Sequence, residues 1–153
     1  SEGAAHLYSL VVHTDNPAVR SEAIWALVYR CSDPVVQRWL LDLAKTSQSA
    51  MVRIRAALAL CSLSDVALRE AGQAALVAIV DDDSTDESVR LEAAEELVQR
   101  PVLEQLAASG TSEEIRLRAQ DSIAVLDLRD QILSLPISAS QTASGLDTLH
   151  PGR

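Results

Sequence analysis

Apolar residues recur along this chain at helical spacing, in short runs interrupted by Ser, Asp or Asn. The stretch Met51 to Leu60, MVRIRAALAL, sets Arg53 and Arg55 inside such a run. A solvent-facing amphipathic helix rarely carries so many Ala and Leu, and a fully buried helix does not hold two cations without partners. Comparison along the chain resolves this, because the stretch is one of four copies. Each copy has a capping residue (Asn16, Ser49, Asp86, Ser112), a branched residue (Val19, Val52, Val89, Ile115) and an arginine (Arg20, Arg53, Arg90, Arg116). An alanine follows (Ala23, Ala56, Ala93, Ala119), then a large apolar residue (Leu27, Leu60, Leu97, Ile123). The arginines lie 33, 37 and 26 residues apart.

Two further columns precede each cap. Leu7, Leu40, Val77 and Leu103 stand nine residues before it, and Leu10, Leu43, Val80 and Leu106 six before it. Each unit therefore reads as helix, turn, helix. The pattern predicts first helices near 4–14, 34–46, 66–81 and 101–109. Second helices are predicted near 17–31, 49–63, 86–99 and 112–127, with a short capping helix at 128–134. Ser, Asp and Asn side chains accept N–H bonds from a first helical turn, and Pro17 and Pro34 follow Asn16 and Asp33 where a missing N–H costs nothing. Gly72 is the misfit in its helix, and close approach of a neighbouring helix is the expected reason. The alanine column suits stacked helices, which approach closely only where side chains are small.

The segments DNPAVRSEAIWAL, QSAMVRIRAALAL, TDESVRLEAAEEL and TSEEIRLRAQDSI resemble the second helices of HEAT-like repeats, closest to the short bacterial variety found in phycobilin lyase subunits. The resemblance covers roughly residues 4–130. It implies an all-α, right-handed α-solenoid of about four helix pairs, with units near 4–31, 32–64, 65–100 and 101–130 in a domain of residues 1–134. It also implies that the second helices line a concave, partner-binding face. In such repeats the column of Arg20, Arg53, Arg90 and Arg116 bonds turn acceptors and acidic groups between units, here the turn carbonyls, Asp15 or Asp86. Two residues on, Glu22, Arg55, Glu92 and Arg118 alternate in sign. Side by side, successive members would pair and so fix which unit stacks on which.

Composition narrows the function. The chain has 48% apolar residues, 3% aromatics, no Phe and a net charge of −9. The acidic balance opposes nucleic-acid binding, a HEAT-like DNA glycosylase included, and opposes docking on an anionic membrane. No run reaches the length of a membrane span, and no signal sequence is visible at the start, so a cytoplasmic location is expected. Cys31 and Cys61 read as reduced core thiols.

Catalytic patterns are missing. There is no phosphate-binding glycine loop and no nucleophile elbow. His6 and His13 lie two turns apart on one helix with no carboxylate at ligand spacing. Asp81 to Glu87, DDDSTDE, lacks the glycine and terminal glutamate of a calcium loop and reads as a capping turn. No catalytic residue, metal or cofactor is assigned.

A partner-binding surface is more plausible. Trp25 and Tyr29 share one helical face, and Glu92, Glu95, Glu96 and Asp121 follow in later units. That surface would be aromatic at one end and acidic at the other, fit for a basic or amphipathic segment of another protein. Trp39 is expected in the core beside Leu40 and Leu43. Residues 135–153 lose periodicity and read as a flexible Ser/Thr-rich tail, with Ile137, Leu146 and Leu149 as possible anchors. The expected function is a non-catalytic interaction scaffold; a chromophore-lyase subunit is the alternative.

Overall fold

The computed structural model describes residues 2–137, which form eight helices and no strand. The pairs are α1 (Glu2–His13) with α2 (Pro17–Val28), α3 (Pro34–Thr46) with α4 (Ala50–Cys61), α5 (Val66–Asp81) with α6 (Glu87–Leu97), and α7 (Arg100–Ser109) with α8 (Glu113–Leu133). Extensive contacts join only helices of one pair or of adjacent pairs. This is an α-solenoid of helix pairs. Residues 1–123 form one compact unit, and from Ala124 onward α8 belongs to a second. In that second unit Val125, Leu128, Ile132 and Leu133 are all exposed. The helix expected separately at 128–134 is continuous with α8, because no Gly or Pro breaks the chain between them. Of the expected tail, residues 138–153, with Leu146, Leu149 and His150, lie outside the described residues.

The helix starts follow the sequence chemistry. Asn16 accepts from the Ala18 and Val19 amides at 3.0 and 3.4 Å, Ser49 from Val52 at 3.4 Å, and Asp86 from Ser88 at 2.8 Å. Ser112 accepts from Ile115 at 3.2 Å. Asp33 and Asp65 cap α3 and α5 in the same way. Each bond satisfies an amide that has no partner inside its own helix.

The turns close through a second device. Four residues after the cap, a long donor reaches back over the turn. The Arg53 guanidinium donates to the Ser47 carbonyl at 2.8 Å and Arg116 to Gly110 at 2.6 Å, and Arg20 donates to Thr14. Gln37 to Cys31, at 2.9 Å, and Arg69 to Leu63, at 3.4 Å, repeat the pattern at the starts of α3 and α5. Arg90 crosses a longer turn, donating to the Val80 carbonyl at 3.1 Å and pairing with Asp83 at 3.0 Å. Asp83 belongs to the same turn, and no described ion pair joins the arginine column to Asp15 or Asp86, the acidic groups expected between units.

The core lies between the two helix layers. The alanine column is buried throughout, with Ala23 at 3% exposure and Ala56, Ala93 and Ala119 at 0%. Val77 leaves its expected column and is exposed, while Leu76 takes the core position. The Asp82–Asp86 turn is two residues longer than the other turns within pairs, so positions counted back from its cap fall differently on α5, although Val80 stays buried as expected. Trp39 is half-buried on the flank of α3, stacked on Tyr8 with centroids 4.9 Å apart. Gly72 is a point of contact. A Cβ there would stand 2.7 Å from the Ala57 carbonyl oxygen and 2.9 Å from the Cys61 amide nitrogen and Sγ. Between α6 and α7 only two residues intervene, and Val98 takes the left-handed conformation, φ 55°, to end α6.

Two stability predictions follow from these contacts. Gly72→Ala should lower stability by about 1–3 kcal/mol, because the methyl meets backbone atoms that cannot yield, and this outweighs the ~1 kcal/mol gain in helix propensity. Arg53→Met should cost about 1–3 kcal/mol by leaving the Ser47 carbonyl without its charged donor. Urea midpoints report both, and an unchanged midpoint for either variant contradicts the contact assigned to it.

Candidate interaction surface

The second helices α2, α4, α6 and α8 present matching rows toward solvent. In the row two residues past the arginine column stand Glu22, Arg55, Glu92 and Arg118, and three residues further on stand Trp25, Leu58, Glu95 and Asp121. Arg55 bonds Glu92 through both guanidinium arms, at 2.6 and 3.3 Å. The same guanidinium lies 4.9 Å from the centroid of the Trp25 ring. Arg118 binds both oxygens of Glu95, at 3.2 and 2.7 Å, and Ser122 adds a hydroxyl at 2.7 Å.

The expected ladder therefore forms with a stagger. Glu92 pairs with Arg55, but Arg118 bonds Glu95 instead of Glu92. The described contacts of Arg55 toward unit one are with the Trp25 ring and include no bond to Glu22. The reason is geometric. Arg55 bonds Glu92 of the following unit within its own row, whereas toward the preceding unit the group within reach of an arginine lies one turn further along the helix. Arg55 finds Trp25 there, and Arg118 finds Glu95. The Glu95 bonds also raise the Arg118 pKa above its ordinary value. Sequence columns compare like rows, so the diagonal contacts were not legible in them.

The candidate partner-binding residues separate into two sets. Trp25 is 41% exposed and Tyr29 is 85% exposed, so both lie outside the core. Glu96 and Asp121 are exposed. Glu92 and Glu95 are half-buried and already neutralised by arginines. The acidic end of the surface is correspondingly less negative than its residue types suggest.

Other surfaces contribute structure. At the turn edge, two neighbouring clefts of about 450 and 560 Å³ flank the Thr46–Gln48 corner, with Arg20 beside one and Arg53 beside the other. Tyr8 donates to Asp42 at 3.2 Å, and burial, with that bond, pushes its phenol pKa up. Burial, aided by the charge of Glu96, also raises the Cys61 thiol, which favours its unreactive protonated form. Cys31 and Cys61 are both free thiols.

A further inter-unit tie is absent from the sequence columns. Glu87 Oε2 accepts from the Thr111 amide at 2.8 Å and from its hydroxyl at 2.7 Å, joining α6 to the turn before α8. Among the described residues, no helix is long and apolar enough to cross a membrane.

With this geometry in place, comparison with known families is decisive. The family model for HEAT repeats matches residues 4–98, more than half of the chain. The chain belongs to the HEAT repeat family. The matched segment covers the first three units, and the fourth continues the same caps and arginine column. Comparisons with curated proteins and with solved structures gave no match.

The acidic turns generate a prediction about pH. Thr111 holds the Glu87 carboxyl below the usual range, Ser84 and Thr85 do the same for Asp82, and Ser88 for Asp86. A carboxyl whose folded pKa is lowered contributes stability that is complete above its unfolded value, near pH 4, and is lost as pH falls through the folded value. The HEAT unit should therefore weaken progressively on acidification below about pH 4.5. Thr111→Val should be less stable than the parent at neutral pH, and the gap should close in acid. Urea midpoints at pH 7, 4 and 2.5 test this, and a gap constant with pH contradicts it.

Proposed function

We propose that this HEAT repeat chain is a non-catalytic scaffold that binds another protein, and that the docking surface is the face made by α2, α4, α6 and α8. HEAT repeats commonly mediate protein–protein interaction, which supports the general role. The exposure of Trp25 and Tyr29 carries the choice of face. A chain with only 3% aromatics leaves two of them uncovered, one on α2 and one at its C-cap. Aromatic rings that present large rigid area are the usual anchors of interfaces.

The partner is a basic or amphipathic segment, neither nucleic acid nor membrane. Glu22, Glu96 and Asp121 are the exposed carboxylates on this face that attract it. Glu92 and Glu95 act mainly by holding Arg55 and Arg118. The likeness to phycobilin-lyase repeats makes bilin binding the natural control, read as visible absorbance on mixing.

Affinity capture from the native lysate followed by mass spectrometry identifies a partner for the quantitative test. Trp25→Ala should raise its Kd at least tenfold, equivalent to about 1.4 kcal/mol. Charge reversal at Glu96 and Asp121 should mainly slow association and flatten its salt dependence. Normal binding by Trp25→Ala and by the charge-reversal variants would move the interface to another surface.

A further inference from the structure

We propose that Glu22, Trp25 and Tyr29 form a slot for one arginine or lysine side chain of the partner. This rests on the second-helix face being the docking surface. Glu22 and Trp25 lie three apart on α2, and Tyr29, four residues on, is its C-cap with helical backbone angles, so the three form one strip. All three are exposed.

The chemistry of the strip is shown by a contact within the protein. The Arg55 guanidinium already lies 4.9 Å from the Trp25 ring centroid. The electron-rich face of this indole thus accepts a planar cation. Arg55 does not repel a second cation strongly, because Glu92 neutralises it at 2.6 Å. Trp25 is still 41% exposed. Arg55 and Glu92 also restrain the indole, which lowers the ordering cost of binding.

Glu22 supplies the charge that selects a cation. It takes part in none of the described ion pairs, whereas Glu92 and Glu95 are each committed to an arginine. An incoming guanidinium can lie against the indole and donate to the Glu22 carboxylate, with the Tyr29 ring one turn further on. An arginine fits this better than a lysine, since its plane both stacks and donates. The slot gives chemical content to the preference for a basic segment, which net charge alone leaves unspecific.

The test uses the intact chain and two small probes, N-acetyl-arginine amide and its neutral isostere N-acetyl-citrulline amide. Titration at low ionic strength is followed by the two indole N–H resonances in nitrogen-15 spectra. The arginine probe should move the Trp25 signal and leave Trp39 in place, and the citrulline probe should move neither. Glu22→Gln should weaken the arginine titration about threefold, in keeping with one exposed charge contact. Arg55→Met should broaden or shift the Trp25 signal before any probe is added. Equal shifts with both probes, or shifts centred on the Asp81–Glu87 turn, overturn the slot. If the probe ignores Trp25 while Trp25→Ala still abolishes partner capture, the cation slot falls and the docking face stands. If Trp25→Ala leaves capture intact, the docking face falls as well.

Discussion

The bond from a long donor side chain back to the carbonyl of the preceding turn is the constraint on which this fold depends. A helix ends with carbonyls that lack partners, and the next helix begins with amides in the same position. Here one short segment serves both ends. The cap residue accepts from the new helix, and four residues later an arginine or glutamine donates to the old one. The positive charge also stands near the negative end of the preceding helix dipole. With both ends held, the angle between the helices of a pair has little freedom, and the alanine column can meet its neighbours at close range.

Close approach then determines what the rest of the surface can do. Where backbones come near, as at Gly72 against Ala57 and Cys61, no side chain can intervene. Larger residues are displaced to the outer rows of the second helices. The ionic contacts there tie unit to unit, Arg55 to Glu92 and Arg118 to Glu95. Each such pair contributes about 0–1 kcal/mol at a partly exposed site, so their larger value lies in register. A slipped stack would set Arg55 against Arg118 or Glu22 against Glu92. Trp25 remains half outside, braced by a charge that also belongs to the register device.

That arrangement ties the stability of the stack to the proposed docking face. The residues that hold unit two to unit three, Arg55 and Glu92, are the same ones that fix the exposed indole in unit one. The proposed docking face is built from helix rows and needs no mobile loop. It also means that a change at Glu92 reaches Trp25 through Arg55, although the two do not share a bond.

The order of helices, the caps, the arginine column and the buried alanines were legible in the sequence, because each depends on contacts within a turn or on a period repeated four times. Asn16, Ser49 and Asp86 cap where their types and spacing require, and Ala93 is buried where the column places it. The sequence alone also determined the acidic balance and the scarcity of aromatics. Tertiary structure decided which carboxylate each arginine takes. Arg55 meets Glu92 in its own row, while Arg118 meets Glu95 and Arg55 meets the ring of Trp25 one turn along. It also decided that Val77 would be exposed and Leu76 buried, since the Asp82–Asp86 turn is two residues longer than the other turns within pairs and positions counted back from its cap fall differently on α5. Local patterns record what a residue is and where it sits in its own helix. The relative height and rotation of neighbouring helices come only from packing them together.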